Sequence, residues 1–240
     1  MSLAEKFATR YAGLRKAYGT FTASDETRED GKASGKNITI SKELSDKDLL
    51  KLWDDHLSGR QSVGIVAIDE NNSCVWGAID VDEYQLDLKD LSKKLAKQEL
   101  PLILCRSKSG GAHIYIFLQE PVAASMLQRK LRQLAAAIGY GQAEIFPKQT
   151  QLLLERGDRG STLNMPYFGG ENSTRYAYGR DGGALTPEEF LNFASELALT
   201  PNELEKLEAS PLNESIEWLD QAPPCIQHLI VQGFPKGTRN

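Results

Sequence analysis

Apolar residues recur at steps of four and three through Leu3, Phe7, Tyr11 and Leu14, which predicts an amphipathic helix over residues 3–17. Residues 19–43 lose that period. They are polar and rich in Gly, Ser and Thr, which predicts a loop lying over a site rather than a part of the core. Ser45-Asp46-Lys47-Asp48 caps a second helix that carries Leu49, Leu50, Leu52 and Trp53 and ends near Ser58-Gly59. The apolar runs 62–68 and 74–82 flank the polar turn Asp69-Glu70-Asn71-Asn72, the pattern of a hairpin. A helix over about 86–99, a strand over 101–106, a Gly-rich turn, a strand over 112–118, a helix over about 123–138 and a short strand over 143–146 follow. In the strand 112–118, His113, Tyr115 and Phe117 share one face, and Ile114, Ile116 and Leu118 the other. This order predicts an α+β fold with a mostly antiparallel sheet backed by helices.

Composition narrows the setting. A chain of 240 residues is long enough to bury a sizeable core without staples. No apolar run reaches about 18 residues and the N-terminus lacks the apolar core of a signal peptide, which predicts a cytoplasmic protein with no membrane partner. Cys74, Cys105 and Cys225 show no CxxC spacing, and the first two lie in apolar strand-like runs, as small buried hydrophobes do. The net charge of -5 argues weakly against a nucleic-acid enzyme, but the charge is uneven. Between residues 101 and 180, Arg106, Lys108, Arg129, Lys130, Arg132, Lys148, Arg156, Arg159, Arg175 and Arg180 outweigh the acids, whereas the stretch after Asp181 is acidic and reads as a solvated helical face.

Three constellations carry chemistry. In Trp76-Gly77-Ala78-Ile79-Asp80-Val81-Asp82-Glu83-Tyr84, a buried-type strand ends in two carboxylates one residue apart, which leave the same face about 6.5–7 Å apart along it. Such a pair suits divalent metal, and a solvated turn at the strand end is the plain alternative. In Arg106-Ser107-Lys108-Ser109-Gly110-Gly111-Ala112-His113, two glycines free the backbone beside two cations, as a triphosphate cradle would need; a basic hairpin turn is the alternative. No GK[ST] follows, so this is not a Walker loop. In Glu144-Ile145-Phe146-Pro147-Lys148-Gln149, a lone acid ends a short strand with a lysine in reach, a pattern that a solvated acid also satisfies. Together they are the parts of two-metal phosphoryl transfer.

At these residues the chain resembles the archaeo-eukaryotic primase superfamily, in particular the primase-polymerases of TOTE conflict-system and CRISPR-associated type. The resemblance rests on Ile79-Asp80-Val81-Asp82, Ser109-Gly110-Gly111-Ala112-His113, Glu144 to Gln149, and Leu163-Asn164-Met165-Pro166-Tyr167-Phe168, and reaches from about residue 45 to the end. Many members carry Asp where Glu144 stands. It implies an RRM-like catalytic core with an N-terminal α/β subregion and a helical C-terminal tail. The expected division is 1–44 helix and polar loop, 45–180 catalytic core, 181–222 helical extension and 223–240 the start of a truncated C-terminal primase module.

By that resemblance, Asp80, Asp82 and Glu144 hold two Mg²⁺ or Mn²⁺ ions, and the activity is template-dependent nucleotidyl transfer from (d)NTPs to a 3′-hydroxyl. His113 contacts a phosphate of the nucleotide. Arg106, Lys108, Ser109, Gly110, Gly111 and Lys148 bind the rest of its charge, Asn164 and Tyr167 touch sugar or base, and Tyr84 senses the ribose 2′ position. The implied partners are single-stranded DNA template and primer, with helicase, nuclease or CRISPR-associated proteins by family likeness only. Two rival functions are a DxD-type metal-dependent glycosyltransferase and a non-catalytic nucleic-acid-binding module using Tyr115 and Phe117. The closing Pro223-Pro224-Cys225 is similar to a cluster-ligand segment of primase large subunits; since one cysteine holds neither a cluster nor zinc, the expectation is a fragment of a longer protein, against a plain tail with an unpaired thiol.

Overall fold

The computed structural model describes residues 1–27, 33–83 and 86–208. The elements run α1 (Leu3–Arg10), β1 (Ala17–Thr27), β2 (Ala33–Ser41), α2 (Asp46–Leu57), β3 (Val63–Val66), β4 (Ser73–Val81), α3 (Leu88–Lys97), β5 (Ile103–Arg106), β6 (Ala112–Ala123), α4 (Ala124–Ala137), β7 (Glu144–Phe146), β8 (Thr162–Asn164), α5 (Pro187–Glu196) and α6 (Pro201–Lys206). The strands form two four-stranded sheets, β2-β1-β3-β8 and β5-β6-β4-β7, with antiparallel pairing throughout. The fold is α+β, as the pattern predicts. None of the described helices is long and apolar enough to cross a membrane.

Three expectations are corrected. The runs around β3 and β4 are not a hairpin: β3 pairs with β1 and β8, whereas β4 lies between β6 and β7 in the other sheet. All four residues of β3 are buried, so it needs partners on both edges and cover on both faces, and a lone hairpin supplies neither. Within the stretch 19–43 the described residues form strands rather than a loop, since β1 and β2 pair from Ala17↔Ser41 to Ala23↔Gly35 and again at Thr27↔Ala33. Its β-branched Thr20, Thr22, Ile38, Thr39 and Ile40 favour strand, and the Gly and Ser content masked that preference. Helix α1 also stops at Arg10 rather than near 17, because at Gly13 the chain runs against β3, where a Cβ would lie 2.0 Å from the Val66 carbonyl oxygen.

The β5-β6-β4-β7 sheet separates two cores. One face packs Ile79, Val81, Ile114 and Ile116 against Leu91 and Leu95 of α3 and Leu127, Leu131 and Leu134 of α4. The other turns Trp76, Ala78, Tyr115, Phe117 and Phe146 toward Phe7 and Tyr11 of α1, Trp53 of α2, Phe190 of α5 and Val63, Ile65 and Leu163 of the second sheet. Tyr11 is edge-on to Trp76, Tyr115 and Phe117, at centroid distances of 5.2, 5.5 and 5.4 Å, which fixes the separation of the sheets. Cys74 and Cys105 are buried as expected, and burial pushes the Cys74 thiol up to about 12.

His56, in the last turn of α2, clasps this arrangement. It is fully buried; its Nε2 donates to the Pro166 carbonyl at 2.7 Å and its Nδ1 accepts from the Val63 N–H at 3.0 Å. A second ring proton would face that N–H, and burial pushes the imidazole down to about 4 from 6.5. The native state therefore favours the neutral ring, and the associated stability is present above pH 6.5 and lost as pH falls toward 4. The loss expected from this group is on the order of 3 kcal/mol. Urea unfolding at pH 7.5 and 4.5 measures it. His56→Leu is expected to cost about 2 kcal/mol at pH 7.5, by leaving two buried backbone groups unpaired, and to flatten the pH dependence.

Candidate active site

The three sequence constellations meet at one register position. Asp80 on β4 is paired with His113 on β6 at one side and Glu144 on β7 at the other. Directly opposed residues on antiparallel strands share a face, with Cβ atoms about 4.5–5.5 Å apart. That face is the one carrying Trp76, Tyr115 and Phe146, so the three polar residues sit where the aromatic core between the sheets ends. Asp82 lies one residue beyond β4, two from Asp80. Tyr84 lies outside the described residues.

Negative charge is crowded at this corner of the sheet. Asp80 Oδ1 is buried and has no hydrogen-bond partner among the described residues, although His113 Nε2 stands 3.3 Å away. The Asp82 carboxyl is pushed up by burial and by the charges of Asp80 and Glu144, against the pull of His113 and Lys148. Glu144 is more than half exposed and pairs with Lys148 Nζ at 2.5 Å. Among the described residues no three His, Cys, Asp or Glu side chains converge into a ready metal cluster. The donor chemistry nonetheless fits a hard divalent ion, since an orphaned buried carboxylate oxygen and mutually repelling acids are what such an ion relieves.

The basic turn between β5 and β6 is built on its glycines. Gly110 takes φ +97, and a Cβ on Gly111 would lie 2.2 Å from the Val81 carbonyl oxygen, so the turn packs onto β4 immediately before Asp82. Ser107 N–H donates to Gly111 O at 2.9 Å, and the Ser107 and Ser109 hydroxyls are 3.1 Å apart. Arg106 reaches the Thr174 carbonyl at 3.4 Å, and Lys108 extends across to the ring of Phe21 on β1.

Lys108 opens onto a cleft of about 530 Å³ between the sheets, lined by Thr20, Phe21, Arg60, Gln61, Ser62, Lys108, Phe168 and Arg175. Arg175 is only 9 % exposed, and among the described residues neither its Nη1 nor the buried Ser62 hydroxyl has a hydrogen-bond partner. Burial and the Arg175 charge push the Lys108 ammonium down to about 8. Arg60 is neutralised by Asp55, at 2.7 Å, whereas Arg175 has no such partner among the described residues and stacks over Phe168, its guanidinium 5.1 Å from the ring centroid. Buried unpaired cationic donors beside an unpaired hydroxyl make a pocket for an anion.

Ser62 and Phe21 carry no signal in the sequence as site residues, Arg175 stands there only as one of many basic residues, and Phe168 only at the end of the family-like segment. Arg175 belongs to the basic middle third, but its burial follows from residues 175–178 running along the edge of β5, where Arg106 N–H donates to Tyr176 O and Tyr178 N–H to Leu104 O. No sequence period announces that pairing. Of the expected nucleotide-binding residues, Asn164 sits on β8 opposite Gly64 in the other sheet. Tyr167 is not brought to the cleft: it is 1 % exposed, its hydroxyl donates to Leu185 O at 3.0 Å and accepts from Ala177 N–H at 3.1 Å, and Phe168 lines the cleft instead. Tyr115 and Phe117 are also fully buried, so neither offers the exposed stacking platform that a binding module would need.

Comparison with known proteins adds a family match. A model described as the archaeo-eukaryotic primase domain of TOTE conflict systems matches residues 4–179. No curated protein matches the sequence. Among solved structures, the chain is similar to the polymerase domain of ligase D from Mycobacterium tuberculosis in complex with DNA, at 14 % identity and a TM-score of 0.35, over 81 % of this chain and 86 % of that one.

Proposed function

The chain belongs to the archaeo-eukaryotic primase domain family of TOTE conflict systems, and from that premise we propose that it is a primase-polymerase transferring nucleotides from (d)NTPs to the 3′-hydroxyl of a primer on a single-stranded DNA template. The observation that carries this reading is the alignment of Asp80, His113 and Glu144 on adjacent strands, beside a cleft with an unpaired buried arginine. Asp80, Asp82 and Glu144 would hold Mg²⁺ or Mn²⁺. Two such ions, when bound, lower the pKa of the attacking hydroxyl and neutralise charge on the triphosphate.

The remaining roles belong to side chains. His113 donates to a phosphate oxygen, and Lys108, Arg175, Arg106 and the Ser109-Gly110-Gly111 backbone hold the rest of the triphosphate in line with the hydroxyl. The hydroxyl oxygen bonds to the α-phosphorus as the bond to the bridging oxygen breaks, pyrophosphate leaves with that electron pair, and the hydroxyl proton passes to solvent. Lys148, held on Glu144, follows the charge that builds on the departing group. Ser62 and Asn164 serve the sugar, and the rings of Phe21 and Phe168 flank the base. Basic residues of the middle third carry the template backbone, so binding should weaken steeply with salt.

Sugar-nucleotide turnover without DNA would instead identify a glycosyltransferase, and DNA binding unaffected by chelator and without incorporation a binding module. The deciding assay is extension of a labelled primer with Mg²⁺ or Mn²⁺. Extension abolished by chelator supports the proposal, and metal-dependent hydrolysis of a sugar nucleotide in its place overturns it.

A further inference from the structure

We propose that Tyr115 is the positioning residue for His113, holding its imidazole in the tautomer whose Nε2 carries the proton and faces the Asp80 side. The proposal deepens the reading that His113 serves a phosphate, and its functional part rests on that reading. Tyr115 stands two residues along β6 on the same face, and its hydroxyl is 3.2 Å from His113 Nδ1. The other ring nitrogen, Nε2, is 3.3 Å from Asp80 Oδ1. A neutral imidazole has one N–H, and the surroundings decide which nitrogen bears it.

Three features choose Nε2. With the proton on Nδ1, the Nε2 lone pair would face a carboxylate oxygen at 3.3 Å, a repulsive contact between two acceptors. With the proton on Nε2, that contact becomes attractive, and Nδ1 is free to accept the Tyr115 hydroxyl proton. The Tyr115 ring is held in place, which keeps its hydroxyl beside His113 Nδ1. It is wholly buried, stacked on Phe117 at 5.9 Å between ring centroids and tilted against Trp76 at 6.0 Å.

The consequence is a directed donor. Because Asp80 Oδ1 accepts no hydrogen bond of good geometry among the described residues, the Nε2–H remains available to a ligand oxygen arriving at the carboxylates. An unlocked ring would present that proton only part of the time, and nucleotide affinity would fall although every charged group stayed in place. Phenylalanine at this position keeps the ring packing and removes only the hydroxyl.

The test is two-bond ¹H–¹⁵N correlation of histidine-labelled protein at alkaline pH, where imidazole is neutral. The chain has three histidines, and His113→Gln assigns the signal by its loss. The wild-type ring is expected to show a protonated-type Nε2 and an acceptor-type Nδ1, and Tyr115→Phe to move both nitrogens toward the shifts of a tautomer mixture. The same substitution is expected to raise the KM for nucleotide about tenfold, with a smaller change in kcat. A wild-type spectrum with the proton on Nδ1 overturns the proposal without any variant, as does a Tyr115→Phe spectrum identical to wild type. If the spectra shift as expected while His113→Gln binds nucleotide as tightly as wild type, the tautomer assignment stands and the phosphate role of His113 falls.

Discussion

Replacing Asp80 and Asp82 together by asparagine is expected to abolish Mn²⁺ binding and reduce nucleotide incorporation by well over about a hundredfold. Loss of groups that merely support a metal ligand costs about 10–100-fold, and these two acids are proposed as ligands themselves. The same variant should unfold at an equal or higher temperature than the metal-free wild type. Asp82 is pushed up by burial and by its acidic neighbours, so its charge opposes folding at neutral pH, and a neutral isostere removes that repulsion. Opposite signs for activity and stability separate a lost site from a lost fold. Added Mn²⁺ should raise the melting temperature of the wild type and leave the variant unmoved. Isothermal titration and differential scanning fluorimetry measure both.

Arg175→Met is expected to weaken nucleotide binding by about 10–100-fold, the range that corresponds to losing hydrogen bonds to a charged partner. The guanidinium Nη1 is buried without a partner among the described residues, in a side chain only 9 % exposed. A desolvated donor left unmet costs stability, so it is retained for something that meets it. Removing it should leave thermal stability equal or higher. Arg175→Lys should recover little of the affinity, because an ammonium keeps the charge but not the planar fork that lies over Phe168. Fluorescent nucleotide titration checks the series. An Arg175→Met protein that binds nucleotide like the wild type would assign the cleft to another ligand.

The legibility of the molecule differs by kind of information. Asp80, Asp82, His113 and Glu144 could be read because acids and a histidine at the ends of apolar runs conflict with core grammar, and such conflicts mark sites. Strand parity tells which residues of one strand share a face, but the meeting of Asp80, His113 and Glu144 at one register comes from the pairing of β4 with β6 and β7. Which strands pair is a different matter. The runs of β3 and β4 looked like a hairpin because they are consecutive and separated by a turn, yet each is apolar enough to need two neighbours, and those neighbours come from β1, β8, β6 and β7. Arg175 was hidden for the same reason: its burial depends on where residues 175–178 dock, a non-local event with no period. Tyr167 shows the converse error, since proximity in sequence to Asn164 placed it at a site that its hydroxyl bonds do not face.

The central claim is that the carboxylates on β4 and β7 direct templated nucleotide addition. The most direct test presents the wild-type protein with labelled primers on four DNA templates that differ only in the first templating base, each with all four dNTPs and with all four NTPs, in Mn²⁺ or chelator. The account predicts that the added nucleotide follows the templating base, that chelator stops addition, and that Asp80→Asn/Asp82→Asn does the same. A folded wild type that binds DNA and nucleotide but adds nothing, or a double variant that extends as well as wild type, would contradict it.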